Sequence, residues 1–158
     1  MSRSQSTTSG PSIQQRLYPE LTCFGCGHAN PKGLHLNSYP AEAGQVVGQF
    51  QPSPEHDNGF GYLNGGIIAT VLDCHSGAAV FHTADQRGLL RAPGAPLLYV
   101  TAGLDLRYLR PCPLGEPLDL RAVIASADDD QMTVEVELLW DAKPRAAATA
   151  LWKRWRPR

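Results

Sequence analysis

Residues 56–80 read HDNGFGYLNGGIIATVLDCHSGAAV, and the rest of the chain can be interpreted from them. They begin as a glycine-rich loop and continue as an apolar segment of several helical turns. Asn64 is a favourable N-cap residue, because its side-chain oxygen can accept from a free backbone N–H of the first turn. Gly65 and Gly66 follow at the helix start, where unpaired N–H groups and the positive end of the helix dipole converge. Two glycines there indicate that another molecule comes close to the backbone.

The predicted helix has two unlike faces at about 100° per residue. One is an ordinary core face, made of Ile67, Ile68, Val71, Leu72, Ala78 and Ala79. The other carries Gly66, Ala69, Thr70, Asp73, Gly77 and Val80. Small residues around a single carboxylate favour the close approach of a substrate or of a second helix.

Gly65 and Asp73 are eight residues apart, which is about 12 Å along a helix axis. One small reacting group cannot touch both residues in the same chain. If both act on it, two chains must contribute. An isologous two-fold pairing would bring Gly65 of one subunit to Asp73 of the other, twice.

Three segments together resemble the hotdog-fold acyl-CoA thioesterases, in particular the phenylacetate-pathway-type branch. Residues 56–80 resemble the central motif of that family, in which a His-Gly-Gly helix start precedes Asp or Glu by about eight residues. Residues 23–36, CFGCGHANPKGLHL, resemble an N-terminal signature, and residues 99–118, YVTAGLDLRYLRPCPLGEPL, resemble the third strand and its turn. The resemblance covers about residues 21–157 and implies an α+β domain with an antiparallel sheet of five to six strands wrapped around one long helix.

Hydrophobic alternation and turn residues predict the other elements. We expect a disordered tail over residues 1–15, with a possible helical turn at 13–18, and a single domain over residues 16–158. Strands are predicted at 33–39, 45–51, 99–109, 118–126, 132–140 and 146–155, with the last four joined as a meander. On the third strand, Thr101 is expected on the face opposite Val100 and Leu104. Residues 85–96 are expected to form a mobile connection beside the pocket.

Composition excludes several classes of function. The 158 residues are 42% hydrophobic and carry a net charge of −1, which gives no general basic surface for nucleic acid. No apolar run approaches the ~20 residues that span a membrane, and no secretory signal is visible. Four cysteines without disulfide-scaffold density favour a reducing cytoplasm. The expected partners are an acyl-CoA substrate and further copies of the chain, as a homodimer or homotetramer.

The predicted reaction is thioester hydrolysis without a cofactor. Asp73 is the candidate nucleophile or general base, and the Gly65 N–H, together with Gly66, is the candidate oxyanion donor. Asn64 stands where the family usually has His, so an acid at that position is not available. In the family an Asn or Gln near Asn58 orients the carbonyl or the water, and His56 is a candidate for proton transfer or for bracing the loop.

Other residues are assigned to substrate binding. Gly66 and Thr70 lie on the helix face of small residues. Arg107, Arg110 and the basic C-terminal residues are candidates for binding the phosphates of coenzyme A. His75 and His82 are interpreted as core or interface histidines.

Three alternatives remain open. The first is a hotdog protein that binds acyl-CoA without turnover, which the Asn64 departure favours. The second is a hydratase or dehydratase that pairs His56 with Asp73. The third is a zinc or redox module built on Cys23 and Cys26. The preferred interpretation contains no metal, because a structural zinc site takes four ligands and the chain has a single Cys-x-x-Cys.

Overall fold

The computed structural model describes residues 9–90 and 99–156. Its elements in chain order are α1 (Ile13–Leu17), β1 (Ser38–Pro40), β2 (Gln45–Phe50), α2 (Gly65–Gln86), β3 (Tyr99–Tyr108), β4 (Leu118–Ala127), β5 (Gln131–Trp140) and β6 (Lys143–Arg154). Short 3₁₀ turns lie at Glu42–Gly44 and Pro54–His56. The predicted α+β class and the single long helix are confirmed.

Six antiparallel strands form one sheet in the order β1-β2-β4-β5-β6-β3. The predicted meander of the last four strands is therefore wrong at one point: β3 pairs with β6, and β4 pairs with β2. The connection from β3 to β4 contains Pro111, Pro113 and Pro117, which disfavour a tight hairpin and let the chain cross to the other side of the helix.

The sheet curves around α2 and buries it against regularly alternating side chains. On β5 the inward residues are Met132, Val134, Val136 and Leu138, all at most 2% exposed. Alanines face the helix from β6, at 146, 148 and 150. Small residues there let the strand approach the helix closely, so the core forms between the two elements.

The helix is covered further round its circumference than its amphipathic pattern predicts. Gly77 and Val80, expected on the open face, are both buried. Trp152 accounts for Gly77, because a Cβ on that glycine would lie 2.8 Å from the indole ring. Sheet curvature is a tertiary property, so helical periodicity alone could not show it.

Two N-terminal boundaries also need correction. Residues 33–37 are not a strand: Leu34 N and Leu36 N donate to Phe24 O and Gly25 O, which ties this segment to the Cys23–Cys26 loop instead. The predicted tail extends too far, because Ile13 is 1% exposed and α1 begins there with a Ser12 capping box. Residues 1–8 and 91–98 lie outside the described residues, and the latter include the second half of the expected mobile connection, 91–96.

Candidate active site

The start of α2 is organised by its N-cap. Asn64 Oδ1 accepts from Gly66 N at 2.8 Å and from Ile67 N at 3.4 Å, which confirms the predicted cap. Among the described residues, the N–H of Gly65 donates to no acceptor. The N–H of Gly66, the second predicted oxyanion donor, is already bonded to Asn64, so of the two predicted donors Gly65 has the free N–H. One N–H is left free at the positive end of the helix.

Tyr108 packs over this helix start. Its hydroxyl donates to Gly65 O at 2.8 Å, and a Cβ on Gly65 would lie 3.3–3.4 Å from the phenol. Tyr108 was not recognised from the sequence as a site residue. The signal was present, since alternation along the predicted strand 99–109 puts Tyr108 on the same face as Leu104 and Leu106.

The loop before the helix is held by its own side chains. Asn58 Oδ1 accepts from Phe60 N at 2.9 Å and from Tyr62 N at 3.3 Å. Within the described chain these bonds use the amide oxygen, so the NH₂ group of Asn58 remains available as a donor. His56 Nδ1 accepts from Ser53 N at 3.1 Å, and its ring stacks on Phe50. His56 therefore braces the loop.

Asp73 lies eight residues further along, in the wall of a cavity of about 310 Å³. Most of the cavity is apolar, with Ile13, Tyr18, Phe81 and Trp152 among its lining residues. The structure does not bring His56 to this cavity, so the His–carboxylate pair of a hydratase is not assembled within one chain. It also leaves Asp73 and Gly65 about two helical turns apart.

Thr101 is the main site residue that sequence analysis missed. Its hydroxyl donates to Asp73 Oδ1 at 2.7 Å. The strand register shifts between Thr101 and Gly103, so Thr101 and Leu104 both face the helix. The prediction that Thr101 points to the opposite face is therefore wrong, because a bulge breaks the alternation.

The electrostatics of Asp73 follow from its neighbours. Burial raises the pKa of Asp73 above its ordinary value, the hydrogen bond from Thr101 lowers the pKa, and the nearby Cys23 raises it. The net direction is upward. A carboxylate with a raised pKa is a better proton acceptor than an exposed one.

The remaining predicted residues lie outside the cavity. Thr70 Oγ1 donates to Gly66 O at 2.9 Å within the helix. Arg107 alternates with Leu106 and Tyr108 and is exposed on the outer face of β3. Arg110 Nη1 donates to Pro144 O at 3.0 Å. His75, predicted as a core histidine, is fully buried and hydrogen-bonded to Ser38 Oγ and Val46 O. Within the described residues, no helix is long and apolar enough to cross a bilayer.

Comparison with known proteins places this architecture in a family. The sequence model of the "Thioesterase superfamily" matches residues 60–148, more than half of the chain. Human acyl-coenzyme A thioesterase 13 is 34% identical over 82 residues, which are 52% of this chain and 51% of that protein, and the Pongo abelii protein of the same name matches equally. The chain thus spans about half the length of the curated relatives it matches.

Solved structures agree with the sequence comparison. A phenylacetic acid degradation-related protein from Ralstonia eutropha JMP134 superposes with a TM-score of 0.68 at 25% identity, covering 90% of this chain and 98% of its own. Zebrafish thioesterase superfamily member 2 superposes with a TM-score of 0.62 at 25% identity, covering 80% of this chain and 88% of its own. The chain belongs to the thioesterase superfamily, and its long helix wrapped by a six-stranded antiparallel sheet is the hotdog fold.

Proposed function

We propose that this protein hydrolyses an acyl-CoA thioester to the free acid and coenzyme A, in a site assembled from two copies of the chain. The observation that carries the proposal is the Asp73–Thr101 pair in the wall of the apolar cavity. It places a half-buried carboxylate of raised pKa beside a space suited to an acyl group. The name of the human relative, acyl-coenzyme A thioesterase 13, supports the substrate class.

In the proposed reaction Asp73 acts as a general base toward water. The water oxygen attacks the thioester carbonyl carbon while its proton moves to Asp73. The resulting oxyanion accepts a hydrogen bond from the free N–H of Gly65 on the second chain. The C–S bond then breaks, and the departing thiolate of coenzyme A takes the proton from Asp73. Thr101 holds the carboxylate by one oxygen and leaves the other for the water.

Two chains are proposed because Gly65 and Asp73 lie too far apart to act on one carbonyl within a single chain. The outer edge of β3 supports pairing, since β6 is the one strand that pairs with β3 in the described part of the chain. Tyr108 on β3 is 57% exposed, and Phe60 in the loop before α2 is 85% exposed. An antiparallel β3–β3 contact would cover this region, with a homodimer or a dimer of dimers as the result.

The cavity favours an acyl group of modest size. Its volume of about 310 Å³ is near the lower end of the ~300–1,000 Å³ range of small-molecule sites. Aromatic rings of Tyr18, Phe81 and Trp152 line it, which suits an aryl or medium-length acyl group better than a long flexible chain. Arg107 and Arg110, both exposed, remain the proposed contacts for the phosphates of coenzyme A. A cytoplasmic location is proposed with this substrate.

Asn64 in place of His is compatible with this mechanism. The side chain caps the helix and leaves the adjacent Gly65 N–H free, and no step requires it to carry a proton. The same departure favours the second candidate function, acyl-CoA binding without turnover. Saturable binding of acyl-CoA without thiol release would establish that alternative.

The first test is thiol release from a panel of short, long and aromatic acyl-CoAs by the wild type and by Asp73→Asn. We expect hydrolysis by the wild type and a loss of roughly 10²–10⁴-fold in kcat in the variant. Asp119→Asn is the matched control: that carboxylate also accepts one side-chain hydrogen bond, from Gln49 at 3.1 Å, and is exposed away from the cavity. Full activity in Asp73→Asn would contradict the mechanism.

The two-chain site is tested by complementation. Asp73→Asn and Gly65→Pro chains with different affinity tags are unfolded, mixed and refolded. Half of the dimers then contain one chain of each kind, and each of these has one intact site, so about a quarter of wild-type activity should return. Purified mixed dimers without activity would show that the site lies within a single chain.

A further inference from the structure

Three cysteines meet at one end of the cavity. The sulfur atoms of Cys23, Cys26 and Cys74 all lie within 4.8 Å of one another, and we call this group the thiol cluster. Cys23 and Cys26 come from the loop before β1, and Cys74 comes from α2, 51 residues after Cys23. The sequence analysis preferred an interpretation without a metal, because a structural zinc site takes four ligands and the chain has a single Cys-x-x-Cys. The fold supplies a third sulfur.

The loop is shaped to receive Cys74. Gly27 N donates to Cys23 O at 2.8 Å, which closes the Cys-x-x-Cys-Gly turn. The bond from Leu36 N to Gly25 O ties the turn to the segment that follows it. A Cβ on Gly25 would lie 2.3 Å from the sulfur of Cys74, so only glycine allows the helix thiol to reach the loop at this point.

The distance between the sulfurs of Cys23 and Cys74 matches metal coordination better than a disulfide. Zn²⁺ binds thiolate at about 2.3 Å, so two sulfurs at tetrahedral corners lie about 3.8 Å apart. Cys23 Sγ and Cys74 Sγ are 3.7 Å apart. A disulfide requires about 2.05 Å, which these two atoms could reach only by moving toward each other.

We propose that Cys23, Cys26 and Cys74 bind one Zn²⁺ ion per chain as a three-thiolate site. All three residues line the cavity, so the fourth position of the tetrahedron opens toward it and can take water or a small ligand. Soft thiolate ligands select Zn²⁺ or Cu(I) over hard cations. The proposal does not depend on thioester hydrolysis, because it concerns ligand atoms that the reaction does not use.

The test is a metal titration of the full chain, kept reduced with a phosphine and freed of metal by dialysis against chelator. Zn²⁺ is added in competition with a chromophoric chelator, and Co²⁺ is added separately as a spectroscopic probe. We expect one equivalent of tightly bound Zn²⁺ per chain. The Co²⁺ complex should show tetrahedral d–d bands and sulfur-to-cobalt charge transfer.

Cysteine variants identify the ligands. Cys23→Ser, Cys26→Ser and Cys74→Ser should each weaken Zn²⁺ binding about tenfold or more and reduce the charge-transfer absorbance by about one third. Cys112→Ser is the matched control, because Cys112 is a buried free cysteine outside the cluster. Its titration should equal that of the wild type.

Two results would overturn the proposal: binding of less than half an equivalent by the reduced wild type, or unchanged binding in both loop variants. Circular dichroism and Tm of each variant check the fold. If Cys74→Ser does not fold, the half-exposed Cys23→Ser and the Co²⁺ spectrum of the wild type decide the question.

Discussion

Residues 65–80 of helix α2 form two halves that share one backbone and differ in their surroundings. In the open half, Gly65–Asp73, most residues keep contact with solvent, and Ile68, Val71 and Leu72 form a narrow buried stripe. In the enclosed half, residues 74–80, every residue is buried because the curved sheet covers one side of the helix and α1 and the Cys23–Cys26 loop cover the other. The same apolar sequence continues through both halves, so the surrounding elements make the difference.

The two halves differ in how completely their polar groups are hydrogen-bonded. In the enclosed half, His75 bonds to Ser38 Oγ and Val46 O, and Ser76 Oγ donates to Asp73 O and accepts from Trp152 Nε1. In the open half, the Gly65 N–H has no acceptor among the described residues, and Asp73 is held by Thr101 alone. Satisfied polar groups stabilise the fold, whereas the incompletely paired ones are available for chemistry.

The largest expected effect is in the open half. Gly65→Pro removes the free N–H, and proline is tolerated at the first helical position, so the helix should persist. We expect kcat for thioester hydrolysis to fall about 10²–10³-fold. Gly65→Ala is the control, because it keeps the N–H and adds only a methyl group against Tyr108. Equal losses in both variants would mean that packing, and not the donor, was responsible.

In the enclosed half we expect pH-dependent stability. Burial lowers the pKa of His75 to about 4, so the folded chain binds fewer protons than the unfolded chain between pH 4 and 6.5. The free energy of unfolding is therefore fully retained above pH 6.5. It decreases as the pH falls toward 4, by up to about 3 kcal/mol.

Urea unfolding between pH 7 and 4 measures this loss. His75→Gln should flatten the dependence, while His35→Gln, at an exposed histidine, should leave it as in the wild type. The same slope in His75→Gln and the wild type would rule out His75 as its source.

Alanine substitutions at Gly77 and at Gly66 compare the packing of the two halves directly. Gly77→Ala places a methyl group 2.8 Å from the indole of Trp152, which is fixed by Ser76 and by an edge contact with Phe81. Crowding should outweigh the gain in helix propensity by about 1 kcal/mol and lower Tm by about 2–4 °C. In Gly66→Ala the added carbon meets only Asn64 Oδ1, at 3.1 Å. If Gly77→Ala raised Tm as much as Gly66→Ala, the enclosed half would be more loosely packed than described.

The smallest expected effect is that of Thr101→Val on the pKa of Asp73. Thr101→Val removes the one hydrogen bond that lowers the pKa of this carboxyl, so its pKa should rise further. The acidic limb of kcat/KM should move to higher pH, with a loss below about tenfold at pH 7. Thr149→Val is the matched control, since Thr149 donates to Glu135 at 3.0 Å on the outer face of the sheet. A limb that stayed in place or moved to lower pH would contradict the assigned role of Thr101.

Features set by local sequence were predicted well. The Asn64 cap, the long helix and strands β4 to β6 follow from side-chain periodicity and turn residues, which act over a few neighbours. Thr101 was assigned to the wrong face because a bulge shifts the register by one residue, and alternation carries no mark of where that happens. The first strand was predicted too long because Leu34 and Leu36 bond to a loop that the pattern of residues 33–39 does not reveal.

By itself the sequence determined strands β2 to β6, the long helix with its capped glycine start, Asp73 eight residues after Gly65 and the resemblance to a thioesterase family. Tertiary structure alone decided the strand order, the pairing of Thr101 with Asp73, the cavity beside them and the meeting of Cys74 with Cys23 and Cys26. The reason is physical: capping and periodicity depend on residues within about one helical turn. Sheet curvature and contacts between distant segments depend on how the whole chain packs.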